Sequence, residues 1–191
     1  MGSEMCIRDS SDGISSVAQV LPIMKVIITG IECSGKSTLA VGLAAHYGVT
    51  HLPEYARAYL MEHGPNYTEL DLLSIAHGQL NQEREASSNG VDPIICDTSL
   101  LVIKIWSEIR FGRCHPWIIN NIAQQDWDLF LLCDHHIPLE ADPLRDYDLD
   151  RNDFHERYRA GLLELDIPYH DVSGTTQQRI YAATRIIATY K

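Results

Sequence analysis

The sequence predicts an α/β fold, a parallel sheet of five short strands covered by helices on both faces, with a phosphate-binding site at one end. Two observations carry this expectation. From Met24 onward, short apolar runs alternate with longer stretches of helical periodicity. The first junction between them is Gly30-Ile31-Glu32-Cys33-Ser34-Gly35-Lys36-Ser37, the pattern G-x-x-x-x-G-K-[ST] set after a strand and before a helix, as its chemistry requires. No internal repeat or linker interrupts the alternation, so a single domain is expected over residues 24–191.

The elements follow in order. Lys25–Thr29 is an apolar strand, and the glycine-rich loop leads into a helix that Gly48 ends. Thr50–Leu52 reads as a short second strand, and Pro53–Leu60 as a helix closed by His63-Gly64-Pro65. Thr68-Glu69-Leu70-Asp71 has the form of a capping box and opens a helix running to Ser87-Ser88-Asn89-Gly90. Pro93–Cys96 is a buried-type strand ending at Asp97. Thr98–Arg110 has apolar residues at 101, 102, 105, 106 and 109, which predicts a helix that Gly112 breaks. A shorter helix runs from Pro116 to Gln124, and Asp128–Cys133 is the fourth strand. Residues 135–150 are polar and aperiodic. Asn152 can cap a helix to Leu165, Tyr169–Val172 is the last strand, and Thr175 or Thr176 caps a helix to Tyr190.

Composition narrows the partners. A net charge of −11 argues against nucleic acid or an anionic membrane as a partner. No run approaches the length of a membrane span. The five cysteines (6, 33, 96, 114 and 133) form no C-x-x-C pair and read as reduced intracellular thiols, which points to a cytoplasmic chain. Residues 1–23 are polar at the start and resemble translated adapter sequence. They are expected to be a disordered or artefactual extension, with the natural start at Met24. Nothing in the pattern sets an oligomeric state.

In open α/β sheets the ligand lies at the carboxyl ends of the strands, so the loops after residues 29, 52, 96, 133 and 172 should form the site. At the first, Gly30, Glu32, Cys33, Ser34, Gly35, Lys36, Ser37 and Thr38 make the phosphate cradle. Inward N–H groups and the helix N-terminus attract the anion, Lys36 reaches the β/γ-phosphates, and the Ser37 hydroxyl suits Mg²⁺. Glu54 stands after the second strand, with Arg57 one turn on. Asp97 stands at the end of the third and Gly174 at the end of the last, beside the phosphate cradle. Two neighbouring acidic strand ends supply what phosphoryl transfer needs, one carboxylate for Mg²⁺ and one to accept a hydroxyl proton; which does which stays open between Glu54 and Asp97. Asp97 also reads as a helix cap, and Glu54 as a first-turn acid favoured by the dipole. Arg145 and Arg151 could close over the transferring phosphates or simply be solvated charge. Asp134-His135-His136 is not expected to bind metal, because adjacent histidines point apart and no spaced partner follows.

Several motifs then carry a resemblance over 24–191: Gly30–Thr38, Pro53-Glu54-Tyr55-Ala56-Arg57-Ala58-Tyr59, His77-Gly78-Gln79, Cys96-Asp97-Thr98-Ser99, Trp106–Gly112, Trp127–Asp134, Ile137–Arg145 and Val172-Ser173-Gly174. The chain resembles the ribosylnicotinamide-kinase domain of bifunctional NAD-biosynthesis proteins and, more widely, AAA-type P-loop ATPases. The resemblance implies an adenylate-kinase-like three-layer sandwich with a short lid, ATP with Mg²⁺ as phosphoryl donor, and a nucleoside 5′-hydroxyl as acceptor. By position it places Glu54, Arg57 and Gln79 at the acceptor, Asp97 at Mg²⁺ or the hydroxyl, and Arg145 and Arg151 in the lid. The chain departs from the family at Leu139, where a tryptophan is usual, at Pro143 in place of glycine, and at Ser99 in place of a second aspartate. Without the aromatic platform at Leu139, another nucleoside or metabolite stays open as acceptor, as does a regulatory nucleotide-binding ATPase with none.

Overall fold

The structure is a computed structural model, and it describes residues 22–136 and 150–191. Its elements are β1 (Lys25–Thr29), α1 (Lys36–Tyr47), α2 (Tyr55–His63), α3 (Glu69–Ser88), β2 (Ile94–Asp97), α4 (Leu100–Phe111), α5 (Pro116–Ile122), β3 (Leu129–Cys133), α6 (Arg151–Leu165), β4 (Tyr169–Val172) and α7 (Thr176–Ile187). The four strands lie in the order β2-β1-β3-β4, all parallel.

The apolar strand runs have no polar alternation because both faces are covered. Ile27, Cys96, Phe130 and Leu132 pack into the core under α3, α4, α5 and α6, while Val26, Ile28, Ile95, Leu129, Leu131 and Cys133 face α1 and α7. Helix α1 meets α7 so closely that a Cβ on Gly42 would come within 2.3 Å of Ile180. On the opposite face a Cβ on Gly78 would lie 2.2 Å from the Tyr55 ring, which lets α2 sit directly on α3. A Tyr59–Asp71 hydrogen bond of 2.7 Å ties the same pair together.

The expected fifth strand reduces to a single parallel bridge, Leu52 to Cys96. Leu52 N–H donates to Ile95 O at 2.8 Å and its carbonyl accepts from Asp97 N at 2.8 Å. The ladder stops there because Glu54, the next residue whose N–H would face β2, is already the N-cap of α2. The pairing still holds the segment after Leu52 against the outer edge of β2.

The caps explain the other shifts. The Thr68 capping box forms, with Asp71 as its reciprocal partner, and Thr175 rather than Thr176 caps α7. Helix α6 starts one turn's edge earlier than expected because Asp150, not Asn152, accepts from the N–H groups of Asn152 and Asp153. The helix expected from Thr98 starts at Leu100, since Thr98 takes a positive φ of 79° and Ser99 caps in an extended conformation. Ile23, at the start of the described residues, packs against the larger core cluster.

Candidate functional site

Strand β1 has β2 on one side and β3 on the other, so the chain connections diverge at the β1–β3 boundary. This is the switch point where open α/β sheets bind ligands. The loop Gly30–Gly35 sits on it. A Cβ on Gly30 would lie 3.0 Å from the carbonyl of Cys133, so the loop starts hard against the end of β3. Cys33 (φ 57°) and Gly35 (φ 75°) both take the left-handed conformation, which curls the backbone and turns its N–H groups to one side. The loop braces itself: Ser34 Oγ donates to Ile31 O at 2.7 Å, and Lys36 Nζ donates to the same oxygen at 2.9 Å. Ser37 and Thr38 are exposed on the first turn of α1, where the N–H groups have no intrahelical partner.

Arg179 completes the cradle, and its role escaped the sequence reading. It comes from α7 and is 95% buried, with Nη1 donating 2.8 Å to Ser34 O. Its guanidinium lies where a Cβ on Gly35 would be, 2.6 Å away, so only glycine fits at 35. A signal existed: Arg179, Ala183 and Ile187 form the buried stripe of α7 at a four-residue spacing. A charge on an apolar stripe must find a partner.

Asp97 ends β2 in register with Ile28 of β1 and is 2% exposed, with one carboxylate oxygen buried and without a hydrogen-bond donor. The next residue holds it there. Thr98 is buried at φ 79° with its N–H on Ile28 O at 3.0 Å, a β-branched residue in a conformation that costs on the order of 1–3 kcal/mol. The Cys133 thiol reports the charges around it. Burial pushes it up to about 12, Lys36 and Arg179 pull it back, and Asp97 raises it, so all three charged groups lie near this end of the sheet.

Glu54 is the N-cap residue of α2 and half-buried. Burial, then the Glu54 and Glu32 carboxylates, raise the Tyr158 hydroxyl's pKa, so both acids lie near this residue of α6. Trp106 of α4 reaches the same hydroxyl and packs edge-on against Phe154 at 5.0 Å. Arg57 is exposed one turn further along α2. Gln79 stands apart from the cleft surface: it is 1% exposed, and its Oε1 accepts from Tyr55 N at 3.2 Å. It anchors the backbone next to Glu54.

Arg151, at the start of α6, donates to His135 O through Nε and Nη2 at 3.2 and 2.6 Å, and to Glu32 O through Nη1 at 3.3 Å. It thus bridges the end of β3 and the phosphate loop. Gly174 (φ 93°) makes the turn between β4 and the Thr175 cap, five residues before Arg179. Arg145, Leu139 and Pro143 lie outside the described residues.

The donor set fits a hydrated hard cation. An unpaired buried carboxylate oxygen on Asp97 and a hydroxyl at Ser37 are the ligands Mg²⁺ takes beside phosphates. With its glycine cradle, basic groups and strand-end aspartate, this is a nucleotide-binding α/β protein of the P-loop class. Residues 25–179 match the family model described as an AAA domain, and the chain belongs to that family.

Relatives agree with this. The chain is 30% identical over 155 residues to the trifunctional NAD biosynthesis/regulator protein NadR of Salmonella typhimurium, covering 77% of this chain and 37% of that protein. The Escherichia coli protein of the same name matches at 31% with the same coverage. The chain therefore spans little more than a third of the curated relatives it matches. Among solved structures, a NadR protein in complex with NR superposes with a TM-score of 0.75 at 21% identity, over 88% of this chain and 50% of that one. Deoxyadenosine kinase from M. mycoides, with products bound, superposes at 0.61 and 14% identity, over 88% of this chain and all of that one. These likenesses show the fold.

Proposed function

We propose that this chain is an ATP-dependent small-molecule kinase that phosphorylates the 5′-hydroxyl of a nucleoside, with nicotinamide riboside as the leading acceptor. The observation that carries the reading is the pairing of two acidic sites around the phosphate cradle. Asp97 is buried beside the loop with an oxygen lacking a donor, and Glu54, the N-cap of α2, stands near Tyr158 one loop away. A second carboxylate there supplies the base that an acceptor hydroxyl needs. The names of the curated relatives place them in NAD biosynthesis, and one solved neighbour carries NR in its title, which supports the choice of acceptor.

The residues divide the work as follows. The loop N–H groups and Arg179-braced backbone hold the donor's phosphates, and Lys36 leaves Ile31 O to contact the β/γ-oxygens. Ser37 and Asp97 would hold Mg²⁺, which when bound neutralises charge on the phosphates. Glu54 orients the acceptor hydroxyl and takes its proton, with Arg57 beside it and Gln79 fixing the start of α2. Arg151, with Arg145, screens the charge that develops on the transferred group.

The test is a panel of nucleosides incubated with ATP and Mg²⁺, read by ADP release and product mass. A 5′-phosphorylated nucleoside formed in step with ADP is expected. ADP release with no phosphorylated acceptor would overturn the kinase reading.

A further inference from the structure

Three side chains at the carboxyl end of β3 converge although they are neighbours in sequence. One ligand atom from each of Asp134, His135 and His136 lies within 4.8 Å of the other two. The turn does this: His136 N–H donates to Asp134 Oδ1 at 3.1 Å, which brings residues 134 and 136 to the same side. His136 Nδ1 then sits 2.6 Å from that oxygen and His135 Nδ1 3.6 Å from it.

The tautomer of His135 is set from outside the cluster. Its Nε2 lies 2.7 Å from Asn152 Oδ1, and an amide oxygen only accepts, so in the neutral ring the proton is on Nε2 and Nδ1 carries a lone pair. That lone pair is buried, has no hydrogen-bond donor, and faces a carboxylate oxygen. Two acceptors opposed in this way are costly unless a cation lies between them. A histidine whose far N–H is held by an oxygen acceptor is also the arrangement that orients a metal ligand. The 3.6 Å edge matches the spacing of donors around one ion with bonds of roughly 2.0–2.2 Å, while the 2.6 Å edge is that of the Asp134–His136 hydrogen bond, which must open when an ion enters.

We propose that Asp134, His135 and His136 form a binding site for a divalent late first-row cation of the Zn²⁺ type. Two imidazoles and a carboxylate suit that class, whereas Mg²⁺ prefers an all-oxygen shell, so this site is separate from the one at Ser37 and Asp97. On binding, His136 takes the tautomer with its proton on Nε2, and its Nδ1 lone pair turns from the Asp134 hydrogen bond to the ion. The His135 carbonyl is the acceptor that holds Arg151 over the phosphate loop, so an ion here stiffens the peptide on which that arginine rests.

The experiment titrates Zn²⁺, and Co²⁺ for its visible absorption, into the untagged full chain. His136→Ala and Asp134→Asn are the test variants, since these side chains are 74% and 30% exposed and tolerate change. Circular dichroism checks that each folds. One equivalent of metal per chain is expected, with affinity at least tenfold weaker in each folded variant and unchanged in Lys36→Ala. No stoichiometric binding, or binding that survives both variants, would overturn the site. A chain that binds Zn²⁺ here but transfers no phosphate would retain this site and lose only the kinase reading.

Discussion

Glu83 offers the sharpest test of how the core is built. It lies on the buried face of α3 between Leu80 and Ala86, and it is 1% exposed. Trp127 Nε1 donates to its Oε2 at 3.1 Å, while Oε1 has no donor. The Gln79 amide approaches without closing a full hydrogen bond. Burial raises the carboxyl to about 7 from an ordinary 4.5, against the pull of Trp127, Lys25 and Gln79, and Asp126 adds a small upward push. The folded chain therefore keeps a proton that the unfolded chain releases above pH 4.5. This contribution to stability is full below pH 4.5, falls as pH rises, and is gone above pH 7. A gap of about 2.5 between the two values, at 1.36 kcal/mol each, is roughly 3 kcal/mol. Glu83→Gln keeps an acceptor for Trp127 and removes the titration. Urea unfolding of both chains at several pH values between 4 and 8 is the assay. The stability of Glu83→Gln relative to the parent should climb by roughly 3 kcal/mol across that range. Any fixed packing difference shifts the whole curve and leaves the slope intact. Parallel curves for the two chains would refute the buried, proton-holding carboxylate.

Three further outcomes concern the site. Gly35→Ala forces a left-handed alanine, costing about 1–2 kcal/mol, and drives its methyl into the Arg179 guanidinium; ATP affinity by calorimetry should fall at least tenfold, and unchanged affinity would contradict the cradle. Arg179→Met leaves the Ser34 carbonyl without its buried charged donor, and should lower stability by about 1.5–3 kcal/mol in urea; a loss within 0.5 kcal/mol, itself about the scatter of neutral changes, would mean the bond carries nothing. Glu54→Gln should reduce kcat by about 10²-fold or more with KM little changed if Glu54 accepts the hydroxyl proton, while a change confined to KM would make it a binding residue.

Much of the site was legible because its chemistry is local. The octet Gly30–Ser37 states its own geometry: glycines where the backbone must curl, a lysine and a hydroxyl where the next helix begins. Asp97 was legible as the acid that ends an apolar run, and the Thr68 box as a helix start, since each depends on residues three or four apart. Glu54 was singled out by its place after Leu52, although the strand assigned there proved to be one bridge. The start of α2 at Glu54 cut the ladder short, and strand propensity alone does not weigh that.

What the sequence determined by itself was the class of the molecule: a parallel α/β sheet with a phosphate cradle at its first strand end. Periodicity and spacing encode both, and both are satisfied within a few residues of chain. What only the tertiary structure decided was which distant groups meet. Arg179 reaches Ser34 across 145 residues, Asn152 sets the tautomer of His135, and Trp127 finds Glu83. The reason is physical. A buried charge or lone pair must be paired wherever a partner happens to fold against it, and chain separation says nothing of that distance.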